Sequence, residues 1–209
     1  MESLSSYQEL AQALAELGAG GHLRLNILQA ARPCLLAALQ RSQRGFVLVV
    51  APQPERARRL YEELRSWSSR PEDVHYFPAP EALPYDKIAW DPETIRQRIT
   101  LLSLLPRPDL FSPLQKRGAM VIVTSLLALM PKTIPPHLLA GRIRQVRARE
   151  RLDLNEFLSD LLLAGYQPAS VVEEAGFFSR RGGIVDVYPA NQPRPVRIEL
   201  FGDEIESMR

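Results

Sequence analysis

An α/β chain in two parts is predicted: a parallel-sheet domain over residues 1–138, then a small α+β domain over 139–209. Three observations carry this prediction. The length of 209 residues holds one domain of about 100–150 residues and a smaller second one. Apolar runs at 46–51 (FVLVVA) and 119–123 (AMVIV) alternate with helical periodicity as far as Pro135 and Pro136, the pattern of strand–helix units that build a parallel sheet. Beyond that proline pair, one helical stretch is followed by short β-forming segments broken by glycine. A hydrophobic share of 45% with 24% charged residues fits a chain with a buried core and excludes the disordered and fibrous classes.

Leu10, Leu14 and Leu17 recur at helical spacing, so Tyr7–Leu17 reads as a short amphipathic helix stopped by the glycines of 18–21. A segment at 23–28 leads into a helix over Pro33–Gln43, and FVLVVA follows as a strand. With β-branched residues on both faces, that strand is expected to be central. Pro54 opens a helix through Trp67, whose stripe of Ala57, Leu60, Tyr61 and Leu64 faces the core. Val74–Phe77 is a second strand. Of the 18 prolines, 13 fall between Pro52 and Pro136, which predicts long excursions there. Ile95, Ile99, Leu102 and Leu105 mark a helix over Thr94–Leu105, and 120–125 is a third buried strand running into a short helix. In the second domain an arginine-rich strand is expected at 142–149, then a helix over Leu154–Ala164 capped by Asp153, then several short strands.

Charge and motif searches exclude more than they select. The net charge of +2 does not suggest a chain wrapped in nucleic acid or pinned to an anionic membrane. Only Lys87, Lys116 and Lys132 are lysines, an arginine bias that either bidentate anion recognition or coding-sequence composition would produce. The single cysteine, Cys34, excludes an internal disulfide, and the N-terminus lacks the basic start and apolar run of a signal peptide, so a cytoplasmic location is expected. No apolar run approaches the ~20 residues that cross a bilayer. A phosphate-binding loop needs glycines, a lysine and a hydroxyl. Segment 25–36 (LNILQAARPCLL) offers Ala30, Arg32, Pro33 and Cys34 instead, so nucleotide binding is not expected there. His22, His75 and His137 are too far apart for a metal-ligand pattern, and no nucleophile elbow or zincin helix occurs. No cofactor, metal or catalytic residue is assigned, and the chain is not expected to be an enzyme.

The most distinctive stretch is 176–209. Arg197 to Phe201 alternates polar and apolar, placing Arg197 and Glu199 on one face of a strand, and Arg181 stands beside the Gly182-Gly183 turn. Such charges either form a patch that grasps acidic side chains or simply solvate the outer face of a sheet.

The run RGGIVDVYPA followed by VRIELFGDEIE resembles the UvrB-interaction domain shared by the excision-repair protein UvrB and the transcription-repair coupling factors. Upstream, 76–86 (YFPAPEALPYD) and 116–132 (KRGAMVIVTSLLALMPK) are similar to segments of the coupling factors' first domain. The resemblance implies a degenerate helicase-like (P-loop-like) first domain without a working phosphate loop, followed by a module that docks onto UvrA in nucleotide excision repair. It carries the UvrA-facing arginine of the turn onto Arg181, and the strand's arginine and glutamate onto Arg197 and Glu199. Another family arginine meets Ser179, with Arg180 next to it as a substitute, and a further one meets Gln167 or Pro168. The DNA-clamping hairpin of UvrB has no counterpart in 76–92.

Full-length coupling factors are DNA translocase ATPases carrying a polymerase-binding module and a pair of motor domains. This chain is therefore expected to be an N-terminal fragment, a truncated relative or a stand-alone adaptor. UvrA is the implied partner, with DNA reached through the wider repair complex and no membrane. The alternative is a nucleic-acid-binding module using the arginine run 142–151 (RIRQVRARER).

Overall fold

A computed structural model describes residues 22, 24–81, 90–105 and 119–209. The expected helix at Tyr7–Leu17, residues 82–86 of the first resembling segment and 116–118 of the second lie outside the described residues. The chain divides into two compact units, Met1–Asp86 with Arg107–Lys132, and Lys87–Pro106 with Thr133–Arg209. No described helix is long and apolar enough to cross a membrane.

The first unit is built on a parallel sheet of β1 (Gly45–Ala51), β2 (Val74–Phe77) and β3 (Ala119–Ser125). Its order is β1-β3-β2. The central place expected for β1 therefore belongs to β3, every residue of which is buried. In β1, burial alternates: Val47 and Val49 pack inward, whereas Phe46, Leu48 and Val50 stay 48%, 56% and 46% exposed. Apolar residues on both faces do not distinguish a central strand from an edge strand with one apolar face open.

The inner face is covered by helices Arg32–Ser42 and Pro54–Trp67 around a cluster of Ala37, Ala51, Ala57, Leu64, Val74, Val121 and Val123. Helix Pro54–Trp67 follows the expected stripe, with a proline in its first turn and i,i+4 ion pairs Arg58–Glu62 (3.3 Å) and Arg59–Glu63 (2.9 Å) on its wet face. Gln40 is wholly buried, donates Nε2 to the Arg70 carbonyl (3.2 Å) and accepts from the Ser68 hydroxyl, tying the two helices' ends together.

In the second unit, helix Pro92–Leu104 is capped by Asp91, whose Oδ2 accepts from the Thr94 amide at 2.9 Å. Its buried residues are Arg98, Leu101 and Ser103, while Ile95 and Leu105 of the expected stripe are exposed. The Arg98 guanidinium lies 5.2 Å from the Trp90 ring centroid, so a cation occupies a buried position three residues after Ile95 and four before Leu102, where helical periodicity calls for an apolar side chain. Helix Leu154–Leu163 starts behind Asp153, which accepts from the Asn155 and Glu156 amides. It packs Phe157 and Leu161 against one face of a sheet of β4 (Gln167–Pro168), β5 (Phe177–Arg181), β6 (Ile184–Val187), β7 (Val196–Phe201) and β8 (Glu204–Met208). The order is β4-β5-β6-β7-β8, antiparallel from β5 onward.

The strand expected at 142–149 is absent: turns occupy 141–142 and 148–149, with irregular backbone between. Arg149 adopts φ 66°, and its amide donates to the Ile205 carbonyl (2.8 Å). Arg151 makes a single bridge to Glu204. Backbone bonds to the β8 hairpin thus replace the ladder that arginine alternation suggested.

Candidate functional site

The five-stranded sheet has a core face and a charged face, and register decides which residue goes where. Phe178, Val185, Val187, Ile198 and Ile205 enter the core with the helix. The alternate positions share the other face. Across it Arg181 pairs with Ile184, Ser179 with Asp186, Asp186 with Arg197, Ile184 with Glu199 and Glu199 with Ser207. β-Strand alternation carries Phe201 to the same face as Arg197 and Glu199.

The sequence-derived residues Arg181, Arg197 and Glu199 are therefore brought together, and Arg180 is not. Arg180 pairs with the fully buried Val185, so it lies on the opposite face from Arg181, with Nε donating to the Gly182 carbonyl at 3.2 Å. The β5–β6 turn needs both its glycines. Gly182 has φ +63°, and a Cβ on Gly183 would stand 2.8 Å from the Leu200 carbonyl oxygen.

Arg197 grips Asp186 with a fork, Nε to Oδ1 at 2.6 Å and Nη2 to Oδ2 at 2.8 Å. That bond, reinforced by the Arg197, Arg181 and Arg209 charges, holds the Asp186 carboxyl below the usual carboxylate range, and Arg197 is raised in turn. Glu199 accepts from the Ser207 hydroxyl (2.7 Å) and pairs with Arg209. Arg181 donates Nη2 to a neutral acceptor, the Ser170 carbonyl, at 3.1 Å. Between the 170–172 loop and β7 lies an open groove of about 450 Å³ lined by Val171, Arg181, Asp186, Arg197 and Arg209 among others.

Phe201, 82% exposed beside these charges, was missed by sequence reasoning. Its signal was present: it breaks the polar–apolar alternation by standing in the register of Arg197 and Glu199. Ser179, where the resemblance places an arginine, is buried with its hydroxyl towards the Ser170 carbonyl (3.5 Å), whereas Gln167 and Pro168 are exposed on β4.

The segment tested for phosphate binding forms a 3-10 turn over Gln29–Ala31 and the start of helix Arg32–Ser42. Ala30 and Arg32 are exposed, Pro33 is buried and Cys34 is half-buried. Residues 24–28 before it form no strand. In the arginine run, Arg144 pairs with Asp160 and stacks on Phe157 (5.7 Å), and Arg151 pairs loosely with Asp203 (3.8 Å).

This constellation sits within a recognised module, since a family model for the UvrB interaction domain matches residues 145–209, the segment that forms the sheet and its covering helix. Over nearly its whole length the chain is similar to transcription-repair-coupling factors. It is 33% identical over 205 residues to that of Myxococcus xanthus, covering 95% of this chain and 16% of the relative. It is 30% identical over 184 residues to that of Haemophilus influenzae (88% of this chain, 15% of the relative) and 28% over 180 residues to that of Escherichia coli (86% and 15%). The chain thus carries a UvrB interaction domain and corresponds to the N-terminal region of the transcription-repair coupling factors (Mfd), DNA-repair proteins. It spans about a sixth of the length of these curated relatives.

Proposed function

We propose that this chain is a non-catalytic module that docks onto UvrA in nucleotide excision repair, using the charged face of its five-stranded sheet. The observation that carries this reading is one face holding Arg181, Arg197, Glu199 and the exposed Phe201 within the segment that matches the UvrB interaction domain. Arginine and aromatic anchors are the residues on which protein interfaces concentrate their energy. Residues 139–209 act as the docking domain, and Arg180 contributes from the opposite side of the turn at most as a rim charge.

The first domain, 1–138, is read as a degenerate helicase-like (P-loop-like) layer that no longer holds nucleotide, on the strength of Ala30, Arg32, Pro33 and Cys34. The module works in the cytoplasm, with DNA reached through the assembled repair complex. Nucleic-acid binding by the 142–151 run is the weaker reading, because the run carries no aromatic side chain on which bases could stack. Calorimetric titration of the chain with UvrA tests the proposal: a saturable heat that disappears with Arg181→Glu supports it, and no heat with the unmodified chain refutes it.

A further inference from the structure

The groove beside β7 holds more positive than negative charge. Arg181, Arg197 and Arg209 line it together with one carboxylate, Asp186. Glu199 engages Arg209 from the neighbouring register position, and among the described residues Arg181 reaches a backbone carbonyl, that of Ser170. Three cations against two carboxylates, Asp186 in the groove and Glu199 beside it, leave a surplus positive charge, and the open groove leaves space, for a further anion.

Asp186 does more than neutralise this surface. A guanidinium has five N–H donors in a rigid plane. Asp186 takes two of them along one edge, through Nε and Nη2, and leaves both hydrogens of Nη1 and one of Nη2 for another acceptor. Because Asp186 is the direct cross-strand partner of Arg197, the fork also fixes the long side chain on the rigid part of the sheet. An exposed arginine without such a partner would lose rotamer freedom when the partner protein bound.

We infer that Asp186 is a positioning residue that sets Arg197 for an acidic side chain of the docking partner, which enters the groove between Arg181, Arg197 and Arg209. This rests on the docking reading above. It also runs against simple charge counting. If Asp186 only diluted the positive surface, removing its charge would strengthen binding to an acidic group. If it orients Arg197, removing its charge weakens that binding although the surface becomes more positive.

Titration of the full chain with UvrA, monitored by calorimetry, separates these outcomes. Asp186→Asn is expected to weaken binding at least about tenfold, and Asp186→Glu, which keeps a carboxylate, to remain within about threefold of the unmodified chain. Arg197→Lys keeps the charge but loses the planar fork, and is expected to fall with Asp186→Asn. It decides the matter if the asparagine variant unfolds by circular dichroism. Equal or tighter binding by folded Asp186→Asn, or by Arg197→Lys, overturns the inference. In that case a loss with Arg181→Glu leaves the docking reading standing. Full binding by Arg181→Glu, or none by the unmodified chain, would instead remove the docking reading and this inference with it.

Discussion

Replacing Gly183 by alanine tests how tightly the turn that presents Arg181 is built. A Cβ at this position would lie 2.8 Å from the Leu200 carbonyl oxygen, closer than real Cβ contacts, and the obstacle is backbone. The Leu200 amide donates to the Gly183 carbonyl at 2.8 Å, so β7 cannot withdraw without stretching that bond. The pairing of β7 with β8 shifts register between Glu199 and Leu200, which places the strain at an already irregular point. Overpacking costs about 1–3 kcal/mol and a weakened hydrogen bond about 1 kcal/mol, so a loss of about 2–4 kcal/mol is expected. For a domain of about 60–100 residues each kcal/mol lowers the melting temperature by about 4–8 °C. Gly182→Ala provides the contrast. Its φ of +63° strains a side chain, but the space around it is open, and the expected cost is about 1–2 kcal/mol. Melting of the three proteins by circular dichroism and calorimetry gives the order. A Gly183→Ala protein that melts within about 2 °C of the unmodified chain would refute this account of the turn.

Three further outcomes are expected. Arg144→Ala should cost about 1 kcal/mol, the sum of a half-exposed ion pair and a ring contact, whereas Arg142→Gln with Arg147→Gln should stay within about 0.5 kcal/mol; urea titration reads both, and equal effects would contradict the local geometry. Burial lowers the pKa of His75 from its ordinary 6.5 against the opposing pull of Asp73, so the unfolded chain binds the proton more readily. Stability is then retained above about pH 6.5 and lost as pH falls through the lower folded-state value, and His75→Gln should flatten that slope in pH-dependent melts. Calorimetry with Mg-ATP should give no binding heat, since Ala30, Arg32, Pro33 and Cys34 supply neither the lysine nor the hydroxyl of a phosphate loop; a micromolar dissociation constant would contradict this.

Local pattern was informative where burial follows one-dimensional periodicity. Helix Pro54–Trp67 and strand Val74–Phe77 lie where proline, spacing and β-formers placed them. Strand order was not readable, because β1 and β3 are both apolar runs and only their pairing puts β3 in the middle. The 142–149 segment misled because alternating arginines imitate a wet strand, whereas the Arg142 and Ile143 amides donate to the preceding turn at Leu139 and Ala140, and Arg149 donates to the Ile205 carbonyl in the β8 hairpin, far along the chain. Of the candidate site, the alternation of Arg197 and Glu199 could be read directly. The Asp186 fork, the groove and the approach of Arg181 to Ser170 depend on cross-strand register and on a loop's path, which a linear pattern does not contain.

The central claim is that the face carrying Arg181 binds UvrA, and a paired charge reversal tests it most directly. Arg181 lies on the groove side of β5 and Arg180 on the other. Breaking a desolvated charge pair costs about 2–5 kcal/mol and reversal adds repulsion, so a micromolar complex should fall below detection. Affinity of the full chain for UvrA, measured by calorimetry with circular dichroism as the folding control, should vanish with Arg181→Glu and fall much less with Arg180→Glu. Equal losses for the two, or undiminished binding by a folded Arg181→Glu protein, would contradict the account.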